Sequence, residues 1–248
     1  MLHIAVQEVR AIFSTAVGWL VLAGFSLLAG FFWFWTLGEY IRYSQQVVDS
    51  TVPGLTLTLG DQAVGPWFGN LSVILLMVSP AISMRFFSEE YKQRTMELLL
   101  TSPVPTSHVV LGKFLGGLLF VVVLLSSTAI APITCFVYGA PDPAVFIGGY
   151  AALLLLASGV LAIGSLFSAM TESQIAALVP TFAIVFVLGV LAIFSHDPDS
   201  LASQISLLSH TTDLMRGILH LSDLAYFAGL VGVFLLATHQ RVESLRWR

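Results

Sequence analysis

Long, unbroken apolar runs separated by short polar stretches set the architecture of this chain. Six runs hold the roughly 20 mostly apolar residues that a helix needs to cross the hydrocarbon core of a bilayer. They are Ile12–Trp35, Trp67–Met84, Phe114–Tyr138, Ala144–Met170, Ile175–Phe194 and Leu224–Thr238, the last being the shortest. None alternates apolar with polar residues, so strands of a membrane barrel are excluded. The first run is too long for a cleavable signal and has Glu8 ahead of it. No repeat, low-complexity tract or soluble domain interrupts the pattern. An all-α membrane protein is expected, one six-helix bundle spanning residues 1–248.

Composition strengthens that picture. The 248 residues are 57% hydrophobic and only 10% charged, with a mean hydropathy of +0.91. A soluble domain carries about 25% charged residues to cover its surface. Soluble enzymes, disordered chains and nucleic-acid binders are therefore disfavoured, the last also because net charge is −4 and the basic residues are scattered. The single cysteine, Cys135, excludes an internal disulfide framework and a Cys-based metal site.

Charge placement orients the bundle. With both termini inside, Arg10, Arg85, Lys92, Arg94, Lys113, Arg241, Arg246 and Arg248 lie on the inner side, and only Arg42 and Arg216 outside. That is a positive-inside bias. Trp33, Trp35 and Trp67 then sit where an outer aromatic belt belongs. The long outer segments are Thr36–Pro66 and Ser195–Asp223. The inner side carries one long segment, Arg85–Lys113, and a tight turn, Thr171–Gln174.

The six runs contain no Asp, Glu, Lys or Arg, and His239 lies only at the inner edge of the last. Proton-coupled carriers and voltage sensors keep charged groups in the membrane despite their cost of about 2.5–3.5 kcal/mol each on insertion scales. The chain also lacks a phosphate loop: Gly112-Lys113-Phe114 has neither the Ser or Thr after Lys nor the upstream glycine. A bundle built for transport on these terms is either passive or driven by a partner.

The inner segment Ser88-Glu89-Glu90-Tyr91-Lys92-Gln93-Arg94-Thr95-Met96-Glu97-Leu98-Leu99-Leu100 predicts a helix with Ser88 as N-cap and Glu89 and Glu90 in its first turn. Glu90, Arg94 and Glu97 would line one face and Tyr91, Thr95, Leu98 and Leu99 a more apolar one. Thr101-Ser102-Pro103-Val104-Pro105 ends it, and Thr106 or Ser107 caps the helix that follows. Two readings stand side by side. The apolar face lies in the lipid headgroups, or the helix and its proline elbow form a lever on the second and third spans.

These residues, with Leu111-Gly112-Lys113, resemble the first cytoplasmic loop of ABC-2 type permeases. That pattern runs Glu-Glu, a basic stretch, Gly-Thr-x-Glu-Leu-Leu, a Pro-Val turn and Gly-Lys before the next helix. Arg94 stands where the pattern has Gly, a departure expected to stiffen the turn. The span plan also matches, so the resemblance covers essentially the whole chain. Its Leu-Leu-Thr-Ser-Pro-Val wording is similar to the gliding-motility-associated branch.

The resemblance implies a permease of the type V exporter kind in a bacterial inner membrane. A separate ABC ATPase would bind ATP and Mg, while this chain holds no cofactor and catalyses nothing. Two ATPases and two permeases, the second a copy or a homologue, would form the unit. The ATPase would dock on Glu89, Glu90, Arg94, Thr95, Glu97, Leu98, Leu99, Leu100, Thr101, Ser102, Pro103 and Val104, with Thr171, Glu172, Ser173 and Gln174 as a second contact. Membrane lipids and an outer (periplasmic) partner complete the expected neighbours. The rival functions are a passive channel or scaffold, and a mechanical transmitter that acts on the outer partner through Thr36–Pro66 without moving a solute. An intramembrane enzyme ranks third, because no nucleophile–base pair or paired carboxylates occur.

Smaller features have plain readings. Leu2, Val6, Val9 and Phe13 form a stripe opposite His3, Gln7 and Arg10, as in an interfacial helix. Leu201, Ile205 and Leu208, then Leu214, Ile218 and Leu221, have helical spacing, and the resemblance implies short outer helices there. His196-Asp197-Pro198-Asp199 reads as a polar turn rather than a metal site, and His210 and His220 as surface or capping residues. Gly112 with Gly116, and Gly159 with Gly164, mark helix crossings. Pro80, Pro132 and Pro180 are expected to bend their spans. Ser126, Ser127, Thr128 and Thr134 either line a polar path or pack against neighbours.

Overall fold

A computed structural model describes residues 2–49, 60–96, 105–138, 142–191 and 200–246 of the chain. The helices are α1 (Leu2–Ser14), α2 (Ala16–Asp49), α3 (Gly65–Ser83), α4 (Arg85–Lys92), α5 (Thr106–Ser126) and α6 (Ile130–Tyr138). They continue with α7 (Pro143–Ser168), α8 (Gln174–Val190), α9 (Leu201–Ile205), α10 (Ser209–Met215) and α11 (Leu221–Arg246). Among the described residues no strand occurs, as expected for an all-α membrane protein.

Five stretches are long and apolar enough to cross a membrane: Ala16–Gln46, Gln62–Lys92, Thr106–Val137, Pro143–Ser168 and Leu221–Leu245. The predicted fifth span appears as the shorter apolar helix Gln174–Val190, and its residues 192–194 lie outside the described residues. Several boundaries differ from the pattern. The first span starts at Ala16, because Ile12–Ser14 belong to α1, which ends where Thr15 hydrogen-bonds back to the Ile12 carbonyl. The third span starts at Thr106 and is broken at Ser127–Ala129. Pro132 accounts for the break, since it lacks an N–H and its ring crowds the carbonyl four residues back. Pro80 and Pro180 lie within continuous helices.

Helix α7 is the centre of the bundle. Ala152, Leu153, Leu156, Ala157, Val160 and Leu161 are fully buried, and α3, α5, α8, α10 and α11 pack around it. Small residues allow the approach. A Cβ at Gly149 would run into the Phe68 ring and one at Gly164 into Ser83. Elsewhere the helices are joined by hydroxyl pairs: Ser26–Ser127 at 2.7 Å, Thr128–Tyr150 at 3.0 Å and Ser165–Thr238 at 3.1 Å. Ser127 and Thr128 thus serve contacts between helices, and Ser126 and Thr134 bond within their own.

The aromatic belt needs correction. Trp35 is exposed, but Trp33 and Trp67 are buried, edge to face at 5.3 Å, and the Trp67 indole donates to the Ala29 carbonyl at 3.0 Å. Both lie in the core because α2 and α3 cross there, leaving the indole N–H a protein partner rather than an interfacial one.

The short helices before the last span are present as α9 and α10. His210 of α10 is half-buried and held on three sides. Its Nδ1 lies 2.7 Å from Asp223 Oδ1 and its Nε2 2.9 Å from the Gln204 carbonyl, while the ring stacks on Tyr226 at 4.1 Å. It thereby ties α9, α10 and the start of α11 together. His220, half-exposed, faces Asp213 at 3.8 Å. The segment His196–Asp199 lies outside the described residues.

Gly164→Ala should destabilise the fold by about 1–3 kcal/mol, because the added methyl overpacks the α3–α7 crossing. Gly24→Ala, where an added Cβ meets nothing within 4 Å, should be neutral or stabilising, since Ala favours a helix by about 1 kcal/mol over Gly. Thermal unfolding of both variants in detergent checks the contrast.

Candidate functional site

The described part of the predicted docking segment, residues 89–96, lies at the end of the bundle where α1, α4, the start of α5, the end of α7 and the end of α11 meet. Its helix begins earlier than the capping signal suggests. α4 starts at Arg85, so Ser88 is not an N-cap and Glu89 and Glu90 stand in the second turn. A helix leaves its first four N–H groups without internal partners. Here the Ser168 hydroxyl, at the end of α7, accepts from the N–H of Phe87 at 2.9 Å and of Ser88 at 3.1 Å, and donates to the Met84 carbonyl at 2.9 Å. The Ser88 hydroxyl is buried and donates to the same carbonyl. One side chain from another helix thus does the work that the sequence assigned to a local cap.

The end of α4 also differs from a helix running to Leu100. Arg94 has φ +57°, the left-handed region. Its N–H donates to the Tyr91 carbonyl at 3.1 Å, and that of Thr95 to Glu90 at 3.0 Å. This pair of bonds is the Schellman closure, which normally places glycine at the left-handed residue. Arg94 therefore adopts the conformation that the glycine of the resembling pattern would take without strain. Glu97–Val104 lie outside the described residues; Met96, just ahead of them, is buried.

Nor does Glu90 pair with Arg94. Glu89 takes Arg85 at 3.0 Å, and Glu90 turns inward to Lys113 at 2.8 Å. The apolar face of α4, with Phe86 and Phe87 fully buried, packs on protein. Of the face that the headgroup reading invokes, Tyr91 and Thr95 are half-buried, and Leu98 and Leu99 lie outside the described residues. Phe86 fits over Gly117 of α5, where a Cβ would collide with its ring.

Lys113 is the residue that sequence reasoning missed. It was placed ahead of the third span, yet it lies inside α5 and is only 5% exposed. Its ammonium sits 2.8 Å from Glu90 Oε1 of α4 and 3.3 Å from Glu8 Oε2 of α1, with the Phe87 ring at 5.6 Å. An ammonium of that burial is tolerated only when paired, because desolvation alone costs several kcal/mol. Glu8 reaches it because α1 lies against Gly116, where a Cβ would come within 2.6 Å of the Glu8 Cβ. Accordingly, α1 turns Ala5 and Glu8 inward and leaves Val6 exposed, so its stripe is rotated from the predicted one; His3, Gln7 and Arg10 are exposed as expected. A Glu on an apolar helix and a Lys at the mouth of an apolar run were the available signals.

Beside the ion cluster, a cavity of about 510 Å³ opens between α1, α4 and α5, lined by Gln7, Glu8, Arg85, Glu89, Gln93 and Lys113, among others. The second predicted contact adjoins α4. The Tyr91 hydroxyl donates to the Ala169 carbonyl at 3.4 Å, and the turn Thr171–Gln174 follows with Glu172 and Ser173 exposed. The Thr171 hydroxyl bonds to the Phe167 and Ser173 carbonyls at 3.3 Å. On the other side, Thr106 donates to Glu243 of α11 at 2.5 Å. Among the described residues no group of three or more His, Cys, Asp or Glu side chains is placed to hold a metal ion.

Two substitutions test this local account. Arg94→Gly should stabilise the turn by about 1 kcal/mol by relieving the left-handed strain. Ser168→Ala should cost about 1–3 kcal/mol, since two buried N–H groups lose their acceptor. Chemical unfolding in mixed micelles reads both, with opposite signs expected.

Comparison with curated proteins finds no match. The description "ABC-2 family transporter protein" matches residues 3–236, nearly the whole chain. That match is to the family at large and does not single out the gliding-motility branch. Its members work with ABC ATPase subunits in general, and the membrane-crossing helices agree with that role. The chain belongs to the ABC-2 family and is the multi-pass membrane permease component of an ABC transporter.

Proposed function

We propose that this permease is moved by a separate ABC ATPase that docks on the segment following α4, and that the movement drives export. The observation that carries this is the anchoring of α4. Ser168 holds its first turn, Lys113 its second, and the Schellman turn at Arg94 fixes the direction in which the chain leaves. A loop on such a base transmits force rather than absorbing it. The contact comprises Glu89, Arg94, Thr95, Glu97 and Leu98–Val104, with Glu90 supporting it from the inner side. The turn Thr171–Gln174 adds the second contact at the same end.

In this reading the α4 end faces the cytoplasm of a bacterium, both termini are inside, and two permeases pair with two ATPases. The partner supplies ATP and Mg. ATP-driven closure of the ATPases pushes the loop, and α3 and α5 tilt with it to switch access across the membrane.

A second reading is favoured by the length of α2. Its 34 residues extend about 51 Å at 1.5 Å per residue, against a hydrocarbon core of about 30 Å. The end of α2 past Thr36 therefore projects beyond the bilayer, where it suits a mechanical transmitter acting on an outer protein. Reconstituting the complete complex in liposomes and following export separates the two.

The docking proposal is tested with the cognate ATPase co-expressed and purified with the permease. Glu97→Ala and Pro103→Ala should each lower complex yield or permease-stimulated ATP hydrolysis roughly tenfold, the effect of losing about 1.4 kcal/mol at a contact, while membrane insertion stays normal. Full assembly and stimulation in both variants would overturn it.

A further inference from the structure

Lys113 joins three helices that are far apart in sequence, and among the described residues no other ion pair ties α1 to α4. Its ammonium is shared by Glu8 of α1 and Glu90 of α4. Glu90 uses only Oε1 for this; its Oε2 is buried and has no hydrogen-bond partner among the described residues. Besides the Ser168 cap and the packing of Phe86 and Phe87, α4 is held to the interior by this ammonium, which also holds α1. Around this point α1 is seated on Gly116 and Phe86 on Gly117, successive residues of α5. Helix α1 leads into α2 with only Thr15 between them. A displacement of α4 therefore has a direct route to the first span.

We propose that α1 is a moving part of the transmission. The shared Lys113 ammonium clamps it to α4, so that a push on the docking loop reaches α2 as well as α3 and α5. Lys113 is then a positioning residue, and Glu8 is the side chain through which α1 is driven. The idea rests on the ATPase-driven reading above, but it can fail separately from it. Charge is the reason the link holds under load. Parting Lys113 from Glu8 would leave the Glu8 carboxylate without its cation, whereas apolar contacts between α1 and α5 carry no such charge penalty.

The test is hydrogen–deuterium exchange on the permease–ATPase complex, nucleotide-free and trapped with ATP and vanadate, followed in peptides covering α1 and α4. In the native complex both segments should change exchange on trapping. Glu8→Leu leaves Lys113 neutralised by Glu90 alone; the response of α4 should persist while that of α1 falls by at least half. Val9→Ala trims the half-buried apolar side of α1 without touching the charges. It should raise basal exchange in α1 yet keep its response to trapping.

Retention of the α1 response in Glu8→Leu overturns the clamp, as does its loss in Val9→Ala, which would make packing rather than charge the link. A native complex in which α4 responds and α1 does not overturns it too. If neither segment responds in the native complex, the ATPase-driven reading itself fails.

Discussion

A buried ammonium has to be answered by carboxylates, and in this protein that requirement fixes how one end of the bundle is built. Lys113 lies in a helix that would otherwise be apolar, and its neutralisation draws in Glu8 from the start of the chain and Glu90 from the segment between the second and third spans. Neither carboxylate could reach it unless α1 and α4 packed closely on α5, which Gly116 and Gly117 allow. Breaking such a site by removing one partner typically costs 3–5 kcal/mol. The cluster therefore specifies the arrangement of three helices more strictly than apolar contact would.

Ser168 adds a second constraint of the same kind. The first turn of α4 presents N–H groups that water would satisfy in an exposed helix, but Phe87 and Ser88 are buried. A hydroxyl delivered by the end of α7 meets the need. The central helix of the bundle thus ends by capping the helix that leads to the segment proposed to dock, and the turn after it, Thr171–Gln174, follows directly. The two segments expected to meet a partner are held together before any partner arrives.

Much of this was legible in the sequence, and what escaped has a common cause. Apolar runs gave the membrane-crossing helices and nearly all their positions, because burial in lipid is a property of composition over about 20 residues. The break at Thr15 depends on one local turn and was missed, whereas the start of α5 just past Pro105 and a disturbance at Pro132 were both signalled by proline. At the site, the Glu-Glu and basic residues were visible, but local rules paired Glu90 with Arg94 and made Ser88 a cap. Both assignments lost to partners 23 and 80 residues away, Lys113 and Ser168. Helical spacing describes neighbours on one helix and cannot see an interior cation. Arg94 was recognised as standing where glycine is usual, and the left-handed conformation there shows why glycine suits the position.

The distribution of polar contacts also explains how such a bundle can be stiff and mobile at once. Between the spans the links are isolated hydrogen bonds, the hydroxyl pairs Ser26–Ser127, Thr128–Tyr150 and Ser165–Thr238 and the Trp67 indole on the Ala29 carbonyl, together with glycine-lined crossings. Hydrogen bonds of this kind inside a membrane average about 0.6 kcal/mol, small enough to break and re-form as helices slide. Charged links among the described residues concentrate at the α4 end, where Glu8, Arg85, Glu89, Glu90 and Lys113 lie within one patch. Under the proposed function, the charged links lie where the ATPase would push and the hydroxyl links where the spans would move. An intramembrane ion pair would bring the charged kind of link in among the hydroxyl links, so the lack of charge in the six apolar runs is a mechanical property as well as a condition of insertion.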